Sequence, residues 1–172
     1  ACQLREAGLA APEPLAVLGA PGDSALVSRY VDGVGPWGLA PGARERLLAC
    51  LAGEIARLHA AGFRHRDMKA SNVLLTRMEA EIQLVWIDLD GLAWRGTVEP
   101  HVRARDLARL CTSFASAEAR AAGVRADAWP ELVRRYLASA LGRPPDAHEL
   151  ERLLARTRAW SERNIRRHLA AD

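Results

Sequence analysis

Lysine is almost absent from this chain: of 24 basic residues one is a lysine, Lys69, and the rest are arginine. Such a bias suits an Ala/Arg-rich, GC-rich coding sequence, and composition alone could leave one lysine by chance. Other things are scarce too. No apolar run approaches 18 residues, so a membrane-spanning helix is not expected. No stretch shows the basic, apolar, small-residue order of a signal peptide. Three cysteines, Cys2, Cys50 and Cys111, are odd in number and widely spaced. They suggest neither a disulfide framework nor a metal site, but reduced thiols in a cytoplasmic protein. The net charge of +3 is mild and acidic residues are interspersed. That permits a phosphate-bearing ligand and gives no reason to expect nucleic acid. His59, His101, His148 and His168 lack metal-ligand spacing and read as surface or core residues; the five tryptophans are scattered and read as core or rim.

What is present is an ordinary globular composition, 49% hydrophobic and 26% charged over 172 residues, enough for a sizeable core. The chain starts at Ala1 inside a helical pattern that Gly8, Pro12 and Pro14 end, and we expect the gene product to extend upstream. Residues 15–18 and 25–31 read as strands around a turn at 19–23. Residues 32–42 hold four glycines and two prolines and read as a connector. Residues 43–61 form an amphipathic helix, with Leu47, Leu48, Leu51, Ile55 and Leu58 on one stripe and Gly62 as terminator. A loop around His65 leads to a strand at 73–75, a turn at 78–81 and a strand at 82–87. Helices follow at 105–113, 129–141 and from about 146 to 169.

The loop reads His65-Arg66-Asp67-Met68-Lys69-Ala70-Ser71-Asn72. Phosphoryl transfer needs an in-line hydroxyl, metal ions on the phosphates and a fixed positive charge. Asp67 can accept or orient the hydroxyl, and Lys69 can offset charge on the transferring phosphate. Asn72 and Asp88 offer hard oxygen ligands for magnesium, and a β-hairpin between them would set them side by side. Asp90 is either an extra ligand or a turn former; the Asp90-Gly91 dipeptide favours the turn.

These motifs resemble the protein kinase-like superfamily and, within it, bacterial lipopolysaccharide kinases of the Kdo/heptose kinase type. The resemblance implies an α+β, protein kinase-like fold: mainly the helical C-lobe, the last strands of the N-lobe, and a catalytic-loop hairpin. It divides the chain into an N-lobe remnant with hinge at 1–33 and a C-lobe at 34–172. It implies that Ser28 is the gatekeeper, that the backbone of Arg29 and Val31 meets the adenine, and that Leu74 lies beneath it. His65 and Leu89 match an internal spine, Arg66 belongs to the same supporting set, and Asp106 matches the helix aspartate that braces the catalytic loop.

The implied activity is ATP- and Mg2+-dependent transfer to a saccharide hydroxyl of lipopolysaccharide core, Kdo or heptose, or to a lipid-linked relative. The alternatives are a small-molecule kinase of aminoglycoside or choline type, an atypical protein kinase, or a non-catalytic pseudokinase that binds without transferring. The chain departs from the family in lacking the glycine-rich loop, the strand lysine and its helix glutamate; Glu6 lies too near the Gly8 break to serve. We therefore expect a fragment or a degenerate kinase. Asp88-Leu89-Asp90 replaces Asp-Phe-Gly, and Asp106 follows after too few residues for a peptide-docking segment, which favours a small hydroxyl acceptor. The last helix carries Leu150, Leu153, Leu154, Trp160, Ile165 and Leu169 on one side and six arginines on the rest. It reads either as a contact for an anionic lipid on the inner membrane or as a core-packed helix with a solvated basic face. Glu149, Glu151 and Glu162 favour the latter.

Overall fold

The computed structural model describes residues 1–20, 23–38, 44–78 and 81–169. A short helix α1 (Cys2–Glu6) ends at Gly8, whose φ of 73° is the left-handed turn that favours glycine. Strands β1 (Pro14–Ala20) and β2 (Asp23–Ser28) pair antiparallel. Gly19, Ala20 and Asp23 of the expected turn belong to these strands, and residues 21–22 lie outside the described residues. The second strand stops at Ser28, so Arg29, Tyr30 and Val31 are not strand as the sequence suggested. Pro14 opposite Ser28 has no N–H to offer the ladder, and the register shifts between Pro14 and Ala16. Beyond it the Arg29 amide still donates to Glu13 O at 2.8 Å, and the Arg29 guanidinium pairs with the Glu13 carboxylate at 2.6 Å.

The connector is tied down at Val34, which exchanges two backbone hydrogen bonds with Leu75, 3.0 and 2.8 Å. A Cβ on Gly33 would sit 3.0 Å from the Leu75 carbonyl, which is why the approach takes glycine. Residues 36–38 make a single 3-10 turn, and 39–43 lie outside the described residues.

Helix α2 (Arg44–Ala60) buries the stripe Leu47, Leu48, Leu51, Ile55 and Leu58 as its spacing predicts. It packs chiefly on α5 (Trp129–Leu141). Gly62 follows at φ 84°, and a Cβ there would meet Gly96 O at 2.5 Å. Two three-residue strands that the sequence did not announce, β3 (Phe63–His65) and β6 (Leu92–Trp94), pair with each other. Three residues are too few for an alternating pattern to be read. Between them β4 (Val73–Met78) and β5 (Glu81–Trp86) form the expected hairpin, in register from Val73↔Trp86 to Met78↔Glu81. Met78 and Glu81 of the expected turn are thus strand ends, and residues 79–80 lie outside the described residues.

Helix α3 (Pro100–Ser113) starts five residues earlier than expected, with Pro100 in its first turn where the missing N–H costs nothing. Helix α4 (Ala117–Ala121), also unannounced, is capped by Ser116, whose Oγ accepts the Ala119 N–H at 3.1 Å. Gly142 (φ 65°) ends α5. Helix α6 (Ala147–Leu169) begins with a reciprocal cap: Asp146 Oδ1 accepts the Glu149 N–H at 2.8 Å, and Glu149 Oε2 accepts the Asp146 N–H at 3.0 Å.

One continuous core joins α2, α3 and α5 to the hairpin, through Leu51, Ile55, Leu107, Phe114, Leu132, Tyr136, Val73, Leu84 and Trp86. Helix α6 packs along α3, with Leu150, Leu153, Leu154 and Trp160 half-buried, Thr157 buried, and Arg152, Arg156, Arg158 and Arg163 exposed. The side chains of Ile165, Arg166, Arg167, His168 and Leu169, named in the sequence reading, lie outside the described residues. Among the described residues no helix is long and apolar enough to cross a membrane. The three cysteines are unpaired.

Candidate active site

The catalytic-type loop is strung between β3 and β4, and its backbone is fixed on several sides. The Arg66 N–H donates to Gly91 O at 2.7 Å, and the Asp67 N–H to His65 Nδ1 at 3.2 Å. The Ala70 N–H donates to Ser113 Oγ at 3.0 Å, and the His65 N–H to Asp106 Oδ2 at 3.1 Å. Asp106 is wholly buried on α3. Its other contacts are Arg109 Nη1 at 3.4 Å and His59 Nε2 at 3.6 Å. A Cβ on Gly91 would come within 2.7 Å of the His65 ring, so this close approach of chain to imidazole requires glycine.

On this frame the candidate side chains converge. Lys69 Nζ lies 2.6 Å from Asp67 Oδ2, with both side chains about half exposed. The Asn72 amide nitrogen donates to Asp67 O at 2.8 Å and to Asp67 Oδ2 at 3.3 Å. Only the NH2 can donate to a carbonyl, so the Asn72 side-chain oxygen is left free to accept or ligate. Asn72 O accepts the Ile87 N–H at 3.0 Å, which brings Asp88 alongside. Asp88 is, among the described residues, the one non-glycine at positive φ (54°). Aspartate tolerates this left-handed turn better than most residues, and such outliers gather at functional sites. The Asp88 charge is felt at both His65 and Lys69. Asp90 sits in the following 3-10 turn, where its backbone carbonyl accepts from the Arg66 guanidinium at 3.2 Å. Leu89 packs half-buried against the core.

The electrostatics keep the central pair ionised. The hydrogen bond from Lys69 holds the Asp67 carboxyl below its ordinary value, aided by Asn72 and opposed by partial burial. The same bond raises Lys69. His65 and His59 are pushed down, in both cases mainly by burial and against the pull of Asp106. Each is therefore neutral when folded at pH values where it would be protonated unfolded. Such a group leaves stability intact above its unfolded pKa, near 6.5. Stability then falls as the pH drops from there towards the folded pKa, by up to ~1.4 kcal/mol per pH unit for each histidine. Thermal denaturation should show Tm falling from pH 7.5 to pH 5, and His59→Asn should flatten that slope.

The remaining predicted residues lie at the end of β2, in the segment after it, and on the hairpin. Leu74 is half-buried and shares the outer face of the hairpin with Val85, while Val73 and Leu75 turn into the core. Among the described residues the Arg29 carbonyl and the Val31 amide have no hydrogen-bond partner, whereas the Arg29 amide is committed to Glu13. A cavity of about 530 Å3 beside this segment is walled by Arg29, Tyr30, Val31, Thr76, Gln83 and Val85, among others. Neither Ser28 nor Leu74 lines it, nor do Asp67, Lys69, Asn72 and Asp88. A second cavity, about 470 Å3, does touch the loop: Lys69 and Ser71 face Trp37, Ser113, Ser116 and Glu118 across it.

Sequence reading missed His59 and Tyr136, whose Nδ1 and Oη lie 2.8 Å apart in the core beside Asp106. The available signal was a histidine on the buried side of α2, next to Leu58 and one turn after Ile55. It also missed Ser113, one turn beyond Arg109.

Loop, hairpin and supporting helix in this relation belong to phosphotransferases of the protein kinase-like fold. The sequence model of the lipopolysaccharide kinase (Kdo/WaaP) family matches residues 26–136, well over half of the chain, and the chain belongs to that family. It is thus a kinase of the lipopolysaccharide type, as the resemblance implied. Among solved structures it is similar to "WaaP in complex with acyl carrier protein", with a TM-score of 0.68 at 22% identity, covering 96% of this chain and 72% of that one. That likeness bears out the expected fold. No curated protein sequence gives a significant match.

Proposed function

We propose that the chain transfers the terminal phosphate of ATP, with Mg2+, to a saccharide hydroxyl of lipopolysaccharide, in the core, Kdo or heptose region. The observation that carries this reading is the Asp67–Lys69–Asn72 cluster set against Asp88. Asp67 receives the hydrogen bond of the attacking hydroxyl. Kept ionised by Lys69, it serves chiefly to aim that oxygen. Lys69 offsets charge on the phosphate in transit. The free Asn72 oxygen and the Asp88 carboxylate are hard donors that suit magnesium, which needs few protein ligands because it keeps waters and phosphate oxygens. Among the described residues no group of three or more His, Cys, Asp and Glu side chains is placed to hold a metal ion. Magnesium, when bound there, neutralises the donor's phosphate oxygens.

The open Arg29 carbonyl and Val31 amide suit an adenine edge, with Ser28 at the rear and Leu74 as floor. We assign residues 1–33 to the nucleotide-side lobe and hinge, and 34–172 to the helical lobe. His65, Arg66, Leu89 and Asp106 hold the loop in place. The acceptor enters from the Trp37–Ser113–Glu118 cavity, where an aromatic face and polar groups suit a sugar. For a lipid-linked acceptor, the exposed arginines of α6 suit an anionic membrane surface.

The test is calorimetric titration of the chain with ATP, with and without Mg2+. Magnesium should tighten binding at least tenfold in the wild type, and Asn72→Ala or Asp88→Ala should remove that gain. Equal magnesium dependence in the variants would reject them as ligands.

A further inference from the structure

Four arginines gather beneath the catalytic loop with little to neutralise them. Arg64 lies on β3 opposite Ala93. Arg95 follows two residues after Ala93, and its N–H is bonded to Gly62 O at 2.7 Å, so alternation returns it to the same side as Arg64. Arg105 and Arg109 are one turn apart on α3, hence on one helix face, and α3 packs against β3. Asp106, anchored on the His65 amide, fixes that face under the strand.

The charge is poorly matched. Among the described residues Arg109 has only Asp106, at 3.4 Å, and Asp106 is already shared with His65 and His59. Among the described residues Arg64, Arg95 and Arg105 have no carboxylate partner within ion-pair distance. The Nε atoms of Arg64 and Arg105 are buried without any hydrogen-bond acceptor. Arg105 instead lies over the Trp160 ring at 5.6 Å, which holds its plane without neutralising it. Arg64 is pulled below its ordinary value mainly by burial, against Asp106, and then by Arg105, Arg109 and Arg95, so the other three all act on Arg64. Arg109 is lowered mainly by burial and also by Arg105, against the pull of Asp106 and Asp67, so this arginine senses the Asp67 carboxylate.

Buried donors without acceptors and like charges without counterions are costly unless something anionic completes them. Guanidinium forks match phosphate and carboxylate geometry. One turn along the same helix face from Arg109 stands Ser113, a wall of the cavity beside Lys69. We propose that Arg64, Arg95, Arg105 and Arg109 form a receptor for an anionic group, phosphate or carboxylate, already carried by the acceptor saccharide. This rests on the saccharide-acceptor reading above and specifies it: the enzyme selects a charged sugar and orients it by that charge.

The test measures binding without ATP. The probes are deacylated lipopolysaccharide core oligosaccharide, the same material dephosphorylated and carboxyl-reduced, and phosphatidylglycerol vesicles. The charged oligosaccharide should bind the wild type ~10-fold or more tightly than the neutral one, the order of one charge-assisted contact, with the preference shrinking in high salt. In Arg64→Gln/Arg109→Gln the preference should fall to near unity while neutral binding is unchanged. If that double variant fails to fold, the exposed Arg95→Gln should reduce the preference at least threefold. Equal binding of the two oligosaccharides, or a preference untouched by these substitutions, would overturn the proposal. So would arginine-dependent binding of vesicles alone, which would make the source a lipid surface. A chain that binds charged oligosaccharide but transfers no phosphate would refute the kinase mechanism and leave this receptor standing. A chain that phosphorylates charged and neutral acceptors equally would do the reverse.

Discussion

Replacing Asp67 by alanine should lower phosphate transfer at least ~10^3-fold while leaving the fold intact, because a positioned base or orienting carboxylate contributes about 10^2–10^4 and its other ties here are weak. The side chain is 52% exposed and paired with an equally accessible lysine. Exposed pairs contribute about 0–1 kcal/mol. The Asn72 amide keeps its stronger bond, to the Asp67 carbonyl, after the change. Circular dichroism and Tm should therefore match the wild type within a few degrees. Turnover should be lost at saturating donor and acceptor, so the loss is in kcat. Because Asp67 is held below and Lys69 above their ordinary values by the same bond, wild-type turnover should show no titration of this pair between about pH 5 and pH 10. Undiminished turnover in Asp67→Ala would remove the residue from the mechanism.

Asp106→Ala should act in the opposite way, on the fold first. Its carboxylate is wholly buried, accepts the His65 N–H, and lies near both Arg109 and His59. Removing it leaves a buried amide unpaired and a half-buried guanidinium without its counter-charge. Breaking a buried charged network by deleting one member costs about 3–5 kcal/mol. In a chain of this size that corresponds to a fall in Tm on the order of 10 °C. Asp106→Asn, which keeps an acceptor for His65 but not the charge, should recover part of the stability. Turnover of whatever remains folded should still be low, since β3 and the loop are no longer fixed beneath Asp67. A variant as stable as the wild type would show that the loop is held by its backbone bonds alone.

Much of this architecture was legible because it repeats at short range. The stripe of α2, the β4–β5 hairpin and the Asp67-to-Asn72 spacing each depend on residues within a few positions of one another. What escaped reading depends on contacts between distant segments. The β3–β6 ladder joins residues about thirty apart through three pairs. Asp106 was named through the family resemblance, but its neighbours His59 and Tyr136 come from two other helices, and each alone looks like an ordinary core or surface residue. The early end of β2 follows from one proline opposite Ser28, a tertiary consequence of a local rule. The arginine cluster was hidden by abundance: with 23 arginines in the chain, the four that converge carry no local mark.

Our proposal is that this chain moves phosphate from ATP to a hydroxyl of a lipopolysaccharide saccharide, with Asp67 aiming the acceptor. It is tested most directly by incubating purified chain with Mg2+, γ-labelled ATP and core oligosaccharide, then locating the label by mass spectrometry and 31P NMR. One new phosphomonoester on a sugar hydroxyl should be formed by the wild type and be absent with Asp67→Ala. Tight, magnesium-dependent ATP binding and saccharide binding with no phosphate transferred by the wild type would contradict it and identify a binding module instead.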